Sequence, residues 1–254
     1  MIKSKKLSKF SSINHGFFNK NGGRSKGIYK SLNCGLGSND IKETISKNLN
    51  IVCKKIQAPF ERLVLLNQVH SNKFHIIKKN HNSKKLRLKG DALITDIKNV
   101  AIGVLTADCV PLLIYDKKKK IISAIHAGWK GAFKGIVKKV IKYLLNNRGC
   151  KPSDLIVAIG PCISSKNYVI KKDFKDKFIK KDKQNKLFFK IIKNKSSFSL
   201  NSYIYNELKK LKIQNIEIIN KDTFDQKNNF FSARRSIKNK EHDYGRNISI
   251  IMIN

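Results

Sequence analysis

The chain is predicted to be an α/β protein, a single domain over residues 1–254 built of mixed β-sheets flanked by helices. Three observations carry this. Its 254 residues, 41% of them hydrophobic, leave room for a sizeable core. Strand-like runs follow one another with helices interspersed, a pattern that fits mixed sheets better than a regular doubly wound sheet. No internal repeat and no long Gly/Ser/Pro linker divides the chain.

The elements follow in order. Residues 15–40, rich in Gly and Asn, read as an irregular loop region. Asp40 and Glu43 have the spacing of a capping box and open a helix over 41–55. Strands are expected at 62–69, 73–77, 91–95, 100–106 and 110–115, then a turn at the "DKKKK" of 116–120 and a strand at 121–127. Over 131–147 the spacing of Ile136, Val140, Ile141, Leu144 and Leu145 is helical. A strand at 154–160, helices at 171–182 and 199–212, and strands at 215–219 and 247–253 complete the chain.

Composition narrows the function classes. No run of about 18 apolar residues occurs, so no membrane span is expected. The basic N-terminus lacks the continuous apolar core of a secretory signal, and a cytoplasmic location is the expectation. Five cysteines, odd in number and irregularly spaced, argue for reduced thiols or a metal ligand rather than a disulfide framework. The formal charge of +37 is carried almost entirely by lysine, with only seven arginines, and the lysines are spread along the chain. With abundant Asn and Ile, this is the profile of an AT-rich coding sequence, so no specific nucleic-acid partner is expected. Salt-sensitive adhesion to polyanions is the expected side effect. Against that bias, five of the nine alanines and the only tryptophan, Trp129, fall between 101 and 132, and three of the seven arginines between 234 and 246.

Three donors stand at or near strand ends: His70 in "NQVHS", Cys109 in "TADC" and His126 in "AIHAGWKG". Two imidazoles and a thiolate suit zinc and leave the fourth tetrahedral position for water or substrate. The same set also suits blue copper, which adds a weak axial Met. Only Met1 and Met252 are available for that, and six histidines are too few for a full laccase. The wide separation of the three residues in sequence does not by itself distinguish ligands from packing residues.

The motifs "NQVHS", "GDALITD", "TADCVPLLIYD", "AIHAGWKG", "IGPCI" and "FFSARR…GR", with "HGFF" and "SLNCGLG" before them, resemble in order and context the YfiH/DUF152 family. That family is described both as laccase-like polyphenol oxidases and as purine nucleoside phosphorylases. The resemblance covers essentially the whole chain and implies a YfiH-like fold with zinc held by His70, Cys109 and His126. It also implies phosphorolysis of adenosine, inosine and methylthioadenosine, and hydrolytic deamination of adenosine. The partners would then be a purine nucleoside and phosphate. Two departures stand out. Asp222-Thr223 occupies the place of a usual Cys-Thr pair, and Tyr244-Gly245-Arg246 that of a usual Thr-Gly-Arg, after a charged insertion at 237–242.

Within this frame Asp108 is the candidate acid/base, and its other reading is a structural carboxylate or one that orients a histidine. Arg234, Arg235 and Arg246 are the candidate phosphate and substrate residues, because a guanidinium offers two oxygens a planar fork. Cys162 in "IGPCI" is a further thiol whose strand is expected to end near the metal. Two alternatives rank below zinc phosphorolysis. One is a Cys109 nucleophile with a histidine base, acting on peptidoglycan precursors as some relatives are linked to doing. The other is a copper-dependent polyphenol oxidase. Neither the oligomeric state nor the preferred nucleoside is legible in the sequence.

Overall fold

The computed structural model describes residues 1–78 and 88–254. Its strands are β1 (Ile13–Phe17), β2 (Leu63–Val64), β3 (Phe74–Ile76), β4 (Ala92–Thr95), β5 (Ala101–Thr106), β6 (Val110–Asp116), β7 (Ile121–Ala127), β8 (Leu155–Ile159), β9 (Phe189–Ile192), β10 (Lys195–Phe198), β11 (Asn215–Ile218) and β12 (Asn247–Ile253). Its helices are α1 (Lys42–Lys55), α2 (Trp129–Phe133), α3 (Ile136–Arg148), α4 (Lys172–Lys181), α5 (Leu200–Lys210) and α6 (Ala233–Lys238).

Two sheets form the centre. One has the order β1-β12-β5-β2 and the other β11-β8-β6-β7-β4-β3, both mixing parallel and antiparallel pairs. They pack face to face. Ile102, Val104 and Ile251 of the first meet Leu113, Tyr115, Ile122 and Ala124 of the second. The period of two along each strand turns the alternate residues outward. Ala101, Leu105 and Ile250 lie against Ile45, Leu49 and Val52 of α1. On the far side, Leu112, Ile114 and Ile125 lie against Val140, Ile141 and Leu144 of α3. The result is helix, sheet, sheet, helix, which is the mixed α/β architecture the alternating runs predicted. Burying each of those α3 aliphatics is worth about 1.5–3 kcal/mol, far more than any helix propensity difference.

Four local expectations are corrected. The first half-turn of the 15–40 loop is strand: His15, Gly16 and Phe17 pair with Ile251, Ile250 and Ser249 of β12. The helix over 131–147 starts earlier, at Trp129, and is broken at Gly135, whose φ of 80° lies in the left-handed region that glycine tolerates. The strand over 62–69 is only Leu63–Val64. No capping box forms at α1, because the Asp40 carboxylate accepts from Ser25 Oγ and Asn33 Nδ2 and the cap residue is Ile41. No described helix is long and apolar enough to cross a membrane.

The topology aims the site. In β7, His126 has the parity of Ile122 and Ala124, so it lies on the face that meets the other sheet, opposite Pro111 and one pair short of the end of the β6–β7 pairing.

Candidate metal centre

Each donor is delivered by a different device. His126 is carried by a rigid, fully buried strand. Cys109 follows Asp108, a non-glycine residue with φ 87° that turns the chain between β5 and β6. His70 also has positive φ, 55°, and stands at the end of a loop tied back to β5 by Gln68. The Gln68 side chain imitates a strand edge: its Oε1 accepts from Leu105 N and its Nε2 donates to Leu105 O, both at 2.7 Å. That pairing continues where the backbone of β2 stops.

The three donors converge. One ligand atom from each of His70, Cys109 and His126 lies within 4.8 Å of the others. Cys109 Sγ is 3.7 Å from His70 Nε2, and the two imidazoles meet edge to face with centroids 4.8 Å apart. Tetrahedral bonds of about 2.3 Å to sulfur and 2.0 Å to nitrogen separate a sulfur and a nitrogen ligand by about 3.5 Å, close to the 3.7 Å between Cys109 Sγ and His70 Nε2. Gly128 makes the convergence possible. A Cβ there would lie 2.6 Å from His70 Cδ2 and 2.9 Å from Cys109 Sγ.

Behind the donors is a carboxylate that the sequence reading quoted within "GDALITD" but did not assign. Asp91 is completely buried. Its Oδ1 takes the His126 Nδ1 proton at 2.8 Å and the His70 amide at 3.0 Å, while Oδ2 accepts from Ser71 N and Ser71 Oγ, both at 2.6 Å. One side chain thus fixes the His126 tautomer, leaving Nε2 as the ligand atom, and anchors the His70 loop. These donors hold the Asp91 carboxyl below the usual range despite the opposing effect of burial. Burial alone would raise the Cys109 thiol, but His126 and His70 outweigh it and bring it down to about 7. A thiolate is therefore present at neutral pH, as a soft metal requires.

The other candidates are distributed unevenly. Asp108 is spoken for: Oδ1 accepts from Thr223 Oγ1 at 2.7 Å and Oδ2 from Arg234 N at 2.6 Å. Burial pushes its carboxyl up, against those bonds. Arg235 spends its guanidinium on the carbonyls of Thr223, Phe224 and Phe230. Arg234 donates to Val169 O at 3.0 Å and lies over the Tyr168 ring at 5.4 Å. Arg246 alone of the three lines a cleft of about 1050 Å³ that also exposes His70, Cys109 and His126. The remainder of that cleft is largely apolar, with Leu36, Leu49 and Phe60 among its walls. The departing residue Asp222 is structural, accepting from Ser164 N, Ser164 Oγ and Asn167 Nδ2. Cys162 is buried and lies outside the donor cluster.

The class the fold and site define is a two-sheet α/β protein in which two imidazoles and a thiol converge beside a glycine in a set that could hold a metal ion. The chain belongs to the YfiH/DUF152 family: residues 14–254 match the family described as multi-copper polyphenol oxidoreductase laccase. Among its relatives, a protein of Haemophilus influenzae named purine nucleoside phosphorylase is 31% identical over 235 residues, 91% of each chain. Purine nucleoside phosphorylase YlmD of Bacillus subtilis is 35% identical over 161 residues, 61% of this chain and 58% of that one. Among solved structures, the Bacillus licheniformis hypothetical protein YfiH superimposes with a TM-score of 0.89 at 28% identity, covering 95% of this chain and 93% of that one. YlmD from Geobacillus stearothermophilus gives 0.87 at 25% identity, covering 96% and 93%.

Proposed function

We propose that the protein is a zinc-dependent purine nucleoside phosphorylase acting on adenosine, inosine and methylthioadenosine, with adenosine deamination as a second activity. The observation that carries this is the opening of the His70, Cys109 and His126 cluster into a cleft large enough for a nucleoside, with Arg246 on the same wall. The names of the relatives supply the reaction class.

The donor set fits zinc better than copper. Met252 is 2% exposed within the core under α1, and Met1 packs at Gly16, so neither described methionine stands at the cluster as an axial ligand. When bound, zinc supplies a Lewis acid and lowers the pKa of coordinated water. The chain's own residues do the rest. Asp91 keeps a proton on His126 Nδ1. The apolar wall takes the faces of the purine. Arg246, held by an Nη1 bond to Tyr244 O at 3.2 Å, offers its remaining guanidinium donors to phosphate, which forms a bond to C1′ as the bond from C1′ to the base breaks. The bonds of Asp108 support its structural reading over the acid/base one, because its oxygens are occupied by Thr223 Oγ1 and by Arg234 N in the first turn of α6.

The test is metal analysis joined to an assay of base release from adenosine or inosine with and without phosphate. The expected result is about one zinc per chain and release that requires phosphate. A chelator separates this from the rival favoured by the Cys109 thiolate, a thiol hydrolase. It abolishes phosphorolysis but leaves a thiol nucleophile active.

A further inference from the structure

We propose that the β9–β10 hairpin, with the short helical turn before it, is a docking surface for anionic phospholipid bilayers. The hairpin turns through Lys193 and Asn194, both with positive φ, and its inner strand β10 is fastened to the body at Val169–Ser197. Phe189 and Phe198 pair across it, Phe198 fully buried and Phe189 half-buried, and both rings pack in the aromatic cluster around Phe178. Ile191 has the same strand parity as Phe189, yet it stands 75% exposed, because the tip overhangs the core that should receive it. Leu187, just before β9, is 77% exposed. These are the two most exposed large hydrophobic side chains among the described residues, and they lie four positions apart. Lys183, Lys186 and Lys190 line the same shallow depression as Leu187. Residues 183–195 contain five lysines and neither an acidic residue nor an arginine.

The chemistry selects the occupant. Aliphatic side chains ringed by lysines match an interface in which hydrocarbon lies beneath anionic headgroups. A second copy of the patch would bring lysine against lysine. Nucleic acid is read by exposed aromatics and arginine, whereas here Phe188 is buried, no arginine occurs, and only the half-buried Phe189 among the aromatics reaches the depression. The general lysine excess of the chain supplies adsorption anywhere on its surface, but among the described residues the two most exposed large aliphatics both fall in this one segment.

The experiment is co-sedimentation of the full chain at about 0.15 M salt with vesicles of phosphatidylcholine alone, or with about a third phosphatidylglycerol. Binding is expected only to the mixed vesicles. The Leu187→Ser/Ile191→Ser variant should bind about tenfold more weakly with an unchanged melting temperature. Replacing Lys183, Lys186 and Lys190 by Gln should weaken binding by about fivefold per lysine. The same change at the exposed Lys138, Lys139 and Lys142 of α3 should do much less. Equal loss from the two lysine sets, or unchanged binding by the Leu187/Ile191 variant, would show diffuse electrostatic adsorption and overturn the assignment. So would absence of binding to the mixed vesicles, or complete displacement from them by single-stranded DNA that itself depends on Leu187 and Ile191.

Discussion

Asp91 Oδ1 holds His126 Nδ1 at 2.8 Å and the His70 amide at 3.0 Å, so one buried carboxylate sets both imidazoles. Removing its charge while keeping its shape isolates that role. Asp91→Asn is expected to lower zinc affinity by about 10–100-fold, because the amide no longer raises ligand basicity or fixes the tautomer. Competition against a chromophoric chelator measures it. Wild-type affinity in this variant would reduce Asp91 to a packing residue.

Gly128 is the second hinge of the site. In Gly128→Ala the new methyl would stand 2.6 Å from His70 Cδ2 and 2.9 Å from Cys109 Sγ. The relief available is movement of the His70 loop, since Cys109 is fixed by strand β6. Zinc stoichiometry is expected to fall well below that of the wild type while the thermal unfolding transition of the metal-free proteins changes little. Full zinc occupancy in the alanine variant would mean the loop yields freely.

How legible this was in the sequence depends on what each residue is paid in. Strands β5, β6, β7 and β12 are runs of buried aliphatics, and those apolar runs place them in the sequence within a residue or two. The hairpin β9–β10 and helix α6 were not anticipated, since both owe their form to tertiary partners: the Phe174 and Phe178 rings for one, Asp108 for the other. The donors were found through their motifs. Asp91 escaped because an acid ahead of a strand looks like a surface residue until the fold brings His126 beside it. The arginines show the converse limit, since "ARR" cannot reveal that Arg235 points its charge at three carbonyls.

That difference separates the three arginines in function. Arg246→Lys is expected to raise the Michaelis constant for phosphate by about tenfold or more, the cost of losing one bidentate charged contact. Arg235→Lys should instead lower stability by about 2 kcal/mol through its lost carbonyl bonds, with kinetics of the folded enzyme little changed. Gly35 supports Arg246: a Cβ there would lie 2.7 Å from Arg246 Cδ, and Asn33 Oδ1 accepts from Arg246 N at 2.9 Å. Gly35→Ala should therefore shift the phosphate constant in the same direction, and add little when combined with Arg246→Lys. Parallel loss of phosphorolysis and deamination in Arg246→Lys would reassign it to the fold or the nucleoside.

The cysteines divide as sharply. Burial pushes Cys53 and Cys150 up to about 12 and raises Cys34 and Cys162 as well, whereas Cys109 is brought down to about 7. Iodoacetamide at neutral pH is expected to modify a single thiol of the metal-free chain, Cys109, and bound zinc should protect it. Alanine at 34, 53 or 150 should leave turnover within a few-fold. Labelling at a second cysteine, mapped by peptide mass, would contradict this order of reactivity.

His15 gives the fold a pH dependence separate from the metal centre. It is 2% exposed, its Nε2 accepts from Ser4 N at 2.9 Å, and burial together with Lys3 holds its pKa down to about 4, against Glu217. The unfolded chain binds this proton at about 6.5. Between those values the unfolded state carries more protons than the folded one, so stability rises with pH, and it is lost as pH falls from about 6.5 to 4. A shift of this size corresponds to about 3 kcal/mol. His126 and Cys109 titrate above this window, with opposite signs, and the depressed carboxylates of Asp91, Glu217 and Asp243 act mainly below it. Asp108, raised by burial, acts from the low end of the window upward, with the sign opposite to His15. His15→Gln keeps an acceptor for Ser4 N without a titrating group. Urea unfolding at several pH values across the window should show stability rising with pH more steeply in the wild type than in the variant, the difference being the His15 contribution. Equal slopes would place the acid sensitivity elsewhere in the chain.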